Sequence, residues 1–265
     1  MSQPASEERA GELPRPAESS PPEPRLSVII PAYNEEKYLP RLLAGVAAAR
    51  ARYRHGAGAV EVIVADNAST DRTAEVAAAK GCKVVPIAKR VIAAARNAGA
   101  RSARGEVLAF VDADFQIHPE TFNAIEATLA EGRTIVGATG VRMERLSLGI
   151  ALSYAMIVPM VKIMRMDTGV VFCRREDFEA VGGFNESRLM AEDIQFQKDL
   201  KKLGRRRGQR FERLRGVKAI ASTRKFDRFG DWHYVRWMLP LTYMALFSRA
   251  SLDRKIRSYF YDDPR

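Results

Sequence analysis

The amino-acid sequence predicts an α/β fold built on a mostly parallel central sheet. From residue 26 onward, short apolar runs rich in β-branched residues alternate with longer stretches of helical composition. Such an alternation produces right-handed crossovers, which place helices on both faces of a parallel sheet. The chain has 265 residues, of which 46% are hydrophobic, and this is enough to bury one large core. We therefore expect a Rossmann-like, three-layer α/β/α sandwich.

In the first half of the chain, each apolar run predicts a strand and each periodic stretch between them predicts a helix. Strands are expected over residues 26–30, 60–65, 83–87 and 107–111, with helices after Asn34, from Asp71 and over 91–103. The second half is less regular and predicts strands over 133–143 and 169–173 and helices over 174–181 and 191–203. The pair Gly182-Gly183 is typical of a helix C-terminus, so the helix over 174–181 should end there.

The two ends of the chain differ from its centre. Residues 1–25 contain six prolines and five glutamates and offer little apolar surface, so we expect a disordered tail. This tail is not a signal peptide, because no apolar segment follows a basic start. Two uncharged runs, 146–161 and 237–247, each contain a proline and are too short to predict a membrane-spanning helix. Residues 231–265 are expected to form a C-terminal helical extension.

Positive charge is concentrated in one segment. The chain has a net charge of +11, and residues 201–228 hold twelve Lys or Arg against Glu212 and Asp227, a local net charge of +10. This segment could face nucleic acid, anionic lipid or a phosphorylated substrate, or it could be an ordinary solvated surface. Cys82 and Cys173 each lie in an apolar run, which indicates buried thiols of a cytosolic protein rather than a disulfide.

Two carboxylates follow the strand over 107–111. Asp112 and Asp114 are two positions apart, so in extended backbone their side chains point to the same side and could share one divalent cation. An Asp-x-Asp turn that caps backbone amides is the alternative. Polar clusters also follow the first two strands, at 31–36 and 66–71. Because ligands of parallel sheets bind beyond the carboxyl ends of the strands, we expect these clusters to form one site.

Five segments of the sequence resemble the successive motifs of the family 2 glycosyltransferases, which have the GT-A fold. They are Ser27–Glu35, Val64–Asp71, Ala95–Gly99, Val111–Asp114 and Ala191–Asp193. The resemblance implies an inverting, metal-dependent hexosyltransferase that takes a sugar from a nucleotide-diphosphate sugar, UDP being favoured over GDP. It also implies that residues 26–230 form a GT-A domain, with a nucleotide-binding half over 26–115 and an acceptor half over 116–230.

The resemblance assigns roles to individual residues. Asp114 is the first candidate ligand for Mg²⁺ or Mn²⁺, followed by Asp112, and His233 is a third candidate. The donor pocket would be lined by Pro31, Ala32, Tyr33, Glu35, Asp66, Arg90, Asp112 and Ala113. Asp193 would be the general base that takes the proton of the acceptor hydroxyl, with Glu192 as the next candidate.

Several of these residues also have an ordinary structural interpretation. Asp66 could be a turn residue and Tyr33 a half-buried packing residue. Acidic residues such as Glu192 and Asp193 favour a helix N-terminus through the helix dipole. The segment that begins at His233 resembles the Gln-x-x-Arg-Trp signature of processive synthases, but His replaces Gln. We therefore expect a non-processive enzyme, and His233 could equally be a packing residue.

Two other classes of protein remain as alternatives. A sugar-phosphate nucleotidyltransferase would need a glycine-rich loop after the first strand, and 31–36 contains no glycine. A non-catalytic protein that binds nucleic acid or membranes would explain the basic segment but not the carboxylates, which repel a phosphate backbone. We therefore expect no nucleic-acid partner.

The acceptor side is less specific than the donor side. Met156, Met160 and Met164 recur every four residues, which places them on one stripe of a helix, either in the core or as an adaptable apolar surface. Together with the basic segment, this favours a glycan or lipid-phosphate acceptor. The expected location is the cytoplasm. An anionic membrane surface is a candidate partner, and the inner face of the plasma membrane is the candidate surface.

Overall fold

The computed structural model describes residues 23–163, 166–188 and 191–236. These residues form ten strands, eight α-helices and a short 3₁₀ turn over Ala57–Ala59. The strands are β1 (Leu26–Ala32), β2 (Val60–Asp66), β3 (Lys83–Pro86), β4 (Val107–Phe110), β5 (Phe115–Gln116), β6 (Thr134–Ala138), β7 (Val141–Met143), β8 (Val171–Arg174), β9 (Arg210–Arg213) and β10 (Ala219–Ala221). The helices are α1 (Leu39–Arg52), α2 (Thr73–Ala79), α3 (Ile92–Ser102), α4 (Thr121–Ala130), α5 (Leu148–Ile163), α6 (Arg175–Ala180), α7 (Glu192–Arg206) and α8 (Arg224–Phe229).

Seven strands form the central sheet, in the order β3-β2-β1-β4-β8-β6-β9. The first four are parallel to one another, and β6 is parallel to β9. β8 is antiparallel to both of its neighbours, β4 and β6. Consequently β6 runs in the same direction as β4, and the carboxyl ends of β1, β2, β4 and β6 lie at one edge of the sheet. The mostly parallel sheet confirms the predicted fold class.

Alternate residues of β1 point into two separate cores. Val28 and Ile30 pack with apolar residues of α1 and α4 on one face of the sheet. Ile29 packs on the other face, with apolar residues of α3 and α7 such as Leu200. Because both faces are covered, β1 is buried along its whole length, and the protein has the three layers that the sequence predicts.

The prediction of a single strand over 133–143 is wrong. It breaks at Thr139-Gly140, and β7 leaves the central sheet to pair with β10 in a small second sheet together with β5. Gly140 has a φ of +70°, which L side chains rarely adopt, so the chain turns there. By contrast, α6 ends as predicted, because Gly182 and Gly183 both have positive φ and Gly183 N donates to Phe178 O.

Some predictions fall outside the described residues. These are most of the tail over 1–25, the run 237–247, most of the extension over 231–265, and Met164. Arg25, within the predicted tail, donates its backbone N–H to Ala59 O at 2.8 Å and so belongs to the fold. The helix α5 contains Met156, and no helix in the described ranges is long and apolar enough to cross a bilayer.

The fold divides the basic segment 201–228 between two edges of the sheet. β9 pairs with β6 in parallel, from Arg210 beside Thr134 to Arg213 beside Ala138. The six Lys and Arg residues up to Arg210 therefore lie in the second half of α7 and at the amino edge of the sheet. The six from Arg213 onward follow β9 to the carboxyl edge, where the polar clusters are. The positive charge of the segment is thus divided between two opposite edges of the sheet.

We expect Gly137→Ala to lower the free energy of unfolding by about 1–3 kcal/mol, the usual cost of overpacking a core. A Cβ at Gly137, in β6, would lie 2.2 Å from Phe172 Cζ and 2.9 Å from Glu212 O. Urea unfolding measures the change. The control is Gly58→Ala, because a Cβ there has no heavy atom within 4 Å; its stability should change by less than about 0.5 kcal/mol. Equal stability of the two variants would contradict this packing.

Candidate active site

The loops that follow β1 and β2 are tied together by hydrogen bonds from one to the other. Asn34 Oδ1 accepts from Thr70 N at 2.8 Å, and Glu35 N donates to Thr73 Oγ1 at 2.8 Å. Asn34 has a φ of +52°, and its side chain is fixed by this contact. The two clusters that the sequence predicts at one edge are therefore joined into a single rim at the carboxyl ends of the strands.

The part of this rim predicted to hold the nucleoside contains an aromatic ring and a cation. Arg90 lies over the Tyr33 ring, with its Cζ 4.2 Å from the ring centroid. Asp66 ends β2 and is half-buried, and its Oδ1 accepts from Ser69 N at 3.3 Å, so it also stabilises the turn. Asn67 is buried, and its Oδ1 has no hydrogen-bond partner among the described residues. This rim can offer stacking and polar contacts to a base.

The other predicted donor residues lie beside the rim. Pro31 and Ala32 end β1 and are buried against β2, so only their backbone can reach a ligand. Ala113 is also buried and forms part of the core. Asp112 and Asp114, on either side of it, are both partly exposed.

Asp112 shares a buried guanidinium with Glu192. Arg96 in α3 donates from Nη2 to Asp112 Oδ1 at 2.8 Å and from Nη1 to Glu192 Oε1 at 2.6 Å. Burial alone would lower the pKa of Arg96, but the two carboxylates outweigh it and raise that pKa. Burial also raises the pKa of Glu192, against the opposing effect of Arg96. Arg96 thus joins the end of β4 to the start of α7.

Asp114 and Glu35 share a second guanidinium. Arg224, the first residue of α8, forms two hydrogen bonds with Glu35, at 2.6 and 2.7 Å, and its Nε lies 3.1 Å from Asp114 Oδ2. Burial raises the pKa of Asp114 to about 6; Arg224 opposes this shift, while Asp112 and Glu35 add to it. The carboxylates are therefore close enough to repel one another.

Asp193 and Asp112 line the same pocket, with a volume of about 180 Å³. Arg96 and Thr168 also line it, and its apolar wall is formed by aromatic and aliphatic side chains, among them Phe110, Phe115, Phe184 and Phe196. Asp193 lies in the first turn of α7, after Ala191, whose φ of +59° redirects the chain into the helix. The structure thus brings the predicted base and the predicted donor-binding carboxylate to one space.

His233 lies in an aromatic cluster. Its ring stacks on Phe229, with 4.7 Å between centroids, and meets Tyr234 edge-on at 5.4 Å. Burial and the nearby Lys225 lower its pKa. This is the packing interpretation that the sequence left open, and the metal-binding role of His233 stays a prediction.

The carboxylates fit a hard divalent cation that is held mainly by its substrate. Within the described ranges, no three His, Cys, Asp or Glu side chains are arranged to hold a metal by themselves. Mg²⁺ and Mn²⁺, however, are commonly bound by one or two carboxylates together with phosphate oxygens. Asp114 and Asp112 would be these ligands; the chain turns between them, since Phe115 N donates to Asp112 O at 3.1 Å, as in the turn that the sequence left as the alternative.

Arg96 and Arg224 are the two site residues that the sequence analysis missed. Arg96 stands in an alanine-rich helix and Arg224 in a basic run, and both look like surface residues in the sequence. Their partners are far away along the chain, 96 residues for Glu192 and 189 for Glu35. The motif Ala95–Gly99 was the only sequence signal near either of them, and it does not reveal what Arg96 contacts.

Residues 27–213 match the profile described as glycosyl transferase family 2. The chain belongs to this family. The resemblance seen in the sequence is therefore confirmed.

A relative of this family 2 member is the undecaprenyl-phosphate 4-deoxy-4-formamido-L-arabinose transferase of Pseudomonas paraeruginosa. The two are 40% identical over 120 residues, which is 43% of this chain and 34% of the relative. The chain thus spans about a third of the length of this curated relative.

Two solved structures show the same fold. TarS of S. aureus, in complex with UDP-GlcNAc, has a TM-score of 0.59 at 23% identity, over 75% of this chain and 58% of TarS. The mannosyltransferase PcManGT of Pyrobaculum calidifontis, in complex with GDP-Man and Mn²⁺, has a TM-score of 0.59 at 22% identity, over 78% of this chain and 60% of PcManGT. At these identities the likeness establishes the GT-A fold alone.

We expect Arg96→Met to lower the free energy of unfolding by about 3–5 kcal/mol, because it leaves the buried Glu192 without its counter-charge. Chemical denaturation followed by circular dichroism measures this. The double variant Arg96→Met/Glu192→Gln removes both charges and should regain a large part of the loss. If the double variant were as unstable as the sum of the single variants, the ion pair would not be the cause.

Proposed function

We propose that this family 2 member is a metal-dependent, inverting and non-processive glycosyltransferase that uses a nucleoside diphosphate sugar, with UDP favoured over GDP. The observation that carries the proposal is the pocket shared by Asp112 and Asp193, next to Asp114 at the carboxyl edge of the sheet. TarS holds UDP-GlcNAc and PcManGT holds GDP-Man, which supports a nucleotide sugar as the donor.

Different residues bind the donor and activate the acceptor. Tyr33, Arg90 and Asp66 bind the nucleoside by stacking and hydrogen bonding. A divalent cation bound by Asp114 and the diphosphate would neutralise the charge that develops on the leaving group. With a hydroxyl acceptor, Asp193 takes the proton of that hydroxyl; in either case the acceptor oxygen attacks the anomeric carbon on the side opposite the diphosphate, so the configuration inverts.

The acceptor is expected at a membrane surface, because an apolar face lies beside this edge. We define the apolar face as the exposed side chains of Leu146, Leu148, Leu152, Met156, Phe229 and Trp232. The first four of these side chains lie in or just before α5, and the last two lie at the end of α8 or just after it. The two segments are adjacent, because Arg145 bonds to Asp227 and Asp231, and Gly149 of α5 packs on Asp231 O. Exposed apolar side chains that cluster on adjacent elements are typical of interaction surfaces.

A lipid phosphate is the acceptor class that fits this face and the named substrate of the P. paraeruginosa relative. Lipid chains would contact the apolar face, and the exposed basic residues Arg215, Lys218 and Arg228 would attract the phosphate headgroups. A phosphate oxygen that is already ionised at pH 8 needs no general base, because the second pKa of a phosphate monoester is about 6. The need for a base therefore distinguishes a phosphate acceptor from a hydroxyl acceptor.

The proposed function is tested with a panel of UDP- and GDP-sugars, Mn²⁺, and either an undecaprenyl phosphate or a glycan acceptor. With a hydroxyl acceptor, Asp193→Asn should lower kcat by about 10²-fold or more, because the base is lost, while donor binding is kept. With the lipid phosphate at pH 8, the same change should have a much smaller effect. Product formation is followed by chromatography and donor binding by calorimetry.

The matched control is Asp199→Asn, which makes the same change further along α7, where Asp199 accepts from Gln195. It should leave turnover unchanged. Wild-type rates for Asp193→Asn with a hydroxyl acceptor would remove Asp193 as the base and leave Glu192 to be tested. The absence of transfer or hydrolysis for every donor would overturn the proposed function.

Membrane attachment is tested by co-sedimentation with vesicles at low salt. We expect binding to anionic vesicles and weak binding to neutral ones. Changing Arg215, Lys218 and Arg228 to Gln should weaken anionic binding at least tenfold, since each basic residue near the surface contributes about 1 kcal/mol. Higher salt should have a similar effect.

The control triple variant changes Lys202, Arg205 and Arg206 to Gln. These residues are exposed on α7 towards the amino edge, and the net charge changes equally. This variant should bind anionic vesicles nearly as well as the wild type. Equal losses in the two triple variants would show that net charge alone, not the carboxyl edge, governs attachment.

A further inference from the structure

Arg224 is the cation that the carboxylates of Glu35 and Asp114 share. Its terminal nitrogens both bond to Glu35, its Nε reaches Asp114, and its Cζ lies 4.7 Å from the centroid of the Tyr38 ring. The side chain of Arg224 is 17% exposed, and those of Glu35 and Asp114 are 3% and 19% exposed. The guanidinium of Arg224 is thus mostly buried between two carboxylates.

This position conflicts with a divalent cation on Asp114. The oxygen of Asp114 that meets Arg224 cannot accept from the guanidinium and face a metal in the same direction, and two cations a few ångströms apart repel each other. Glu35 holds Arg224 by two bonds and so keeps it beside Asp114. A metal that arrives without a diphosphate must therefore displace Arg224 or bind beside it at a cost.

A diphosphate changes the competition between Arg224 and the metal for Asp114. It brings negative charge to the same edge of the sheet, and a guanidinium binds phosphate oxygens in the same two-bond geometry that it uses with Glu35. The side chain of Arg224 is long, so its head can change partners while α8 stays anchored through Asp227 and Asp231 to Arg145.

We propose that Arg224 is a positioning residue that competes with the metal for Asp114 until a diphosphate arrives, and then moves onto the diphosphate. The metal and the diphosphate consequently bind together rather than one after the other. This inference rests on the proposed function in assuming that the site takes a diphosphate, but it requires no particular sugar, base or acceptor.

The test measures Mn²⁺ binding by electron paramagnetic resonance, first alone and then with inorganic pyrophosphate. Arg224→Gln should bind Mn²⁺ alone at least fivefold more tightly than the wild type, because the competing cation is gone. It should bind the Mn²⁺–pyrophosphate pair at least fivefold more weakly, because the diphosphate loses its guanidinium. The two affinities should therefore change in opposite directions if Arg224 moves from Asp114 to the diphosphate. A merely structural role for Arg224 would weaken both affinities.

Arg206→Gln is the charge control and should change neither affinity, because Arg206 lies at the end of α7 near the amino edge. If Arg224→Gln does not fold, Arg224→Lys keeps the competing charge but not the two-bond geometry, so it should bind Mn²⁺ alone as the wild type does and the Mn²⁺–pyrophosphate pair more weakly. Unchanged or weaker binding of Mn²⁺ alone by folded Arg224→Gln, or unchanged binding of the pair by Arg224→Lys, overturns the inference. Absence of sugar transfer with these opposite shifts intact would overturn the proposed function and leave the inference standing.

Discussion

The burial of carboxylates at one edge of a parallel sheet is the constraint on which the rest of the site depends. Glu35 and Glu192 have side chains that are 3% and 9% exposed. A buried carboxylate that loses its partner costs several kcal/mol, far more than an exposed one. Arg96 and Arg224 each neutralise one of these two residues and also touch one of the two aspartates after β4. Stability and site geometry therefore depend on the same two guanidinium groups.

These contacts also explain how the site is held together before a ligand binds, although most of it lies in loops. Each guanidinium joins elements that are distant in the chain: α3, β4 and α7 in one case, and the loops after β1 and β4 with α8 in the other. The loops after β1 and β2 are joined separately, through the side chains of Asn34 and Thr73. The functional edge is held by the fold as a whole, not by any single motif.

The sequence predicts the first half of the fold well because its signals are local there. An apolar run such as 26–30 has the right length and side chains for a buried strand, and the succession of such runs dictates parallel pairing. The second half was harder because its strands change sheets and direction. The break at Gly140 depends on a close approach of Gly169, whose Cβ would lie 2.6 Å from Gly140 O, and no local pattern reveals that contact.

The same distinction applies to the site. Asp112, Asp114 and Asp193 were identified because they follow a strand or begin a helix within a known motif order. Arg96 and Arg224 were missed because an arginine is recognised as a buried counter-ion only when its acidic partner is known. That partner is fixed by tertiary packing, so the charge pattern of 201–228 predicts an exposed surface for Arg224 although its side chain is mostly enclosed.

The antiparallel position of β8 has a consequence for biosynthesis. β4 lies at the margin of the four parallel strands formed by the first 110 residues, and its outer partner is supplied by residues 171–174. While the chain is being made, the apolar edge of β4 must therefore wait for about sixty further residues before it is covered. Unpaired strand edges of this kind template association with other chains. During synthesis, the nascent protein thus carries an uncovered edge of β4 in the interval between the completion of β4 and the arrival of β8.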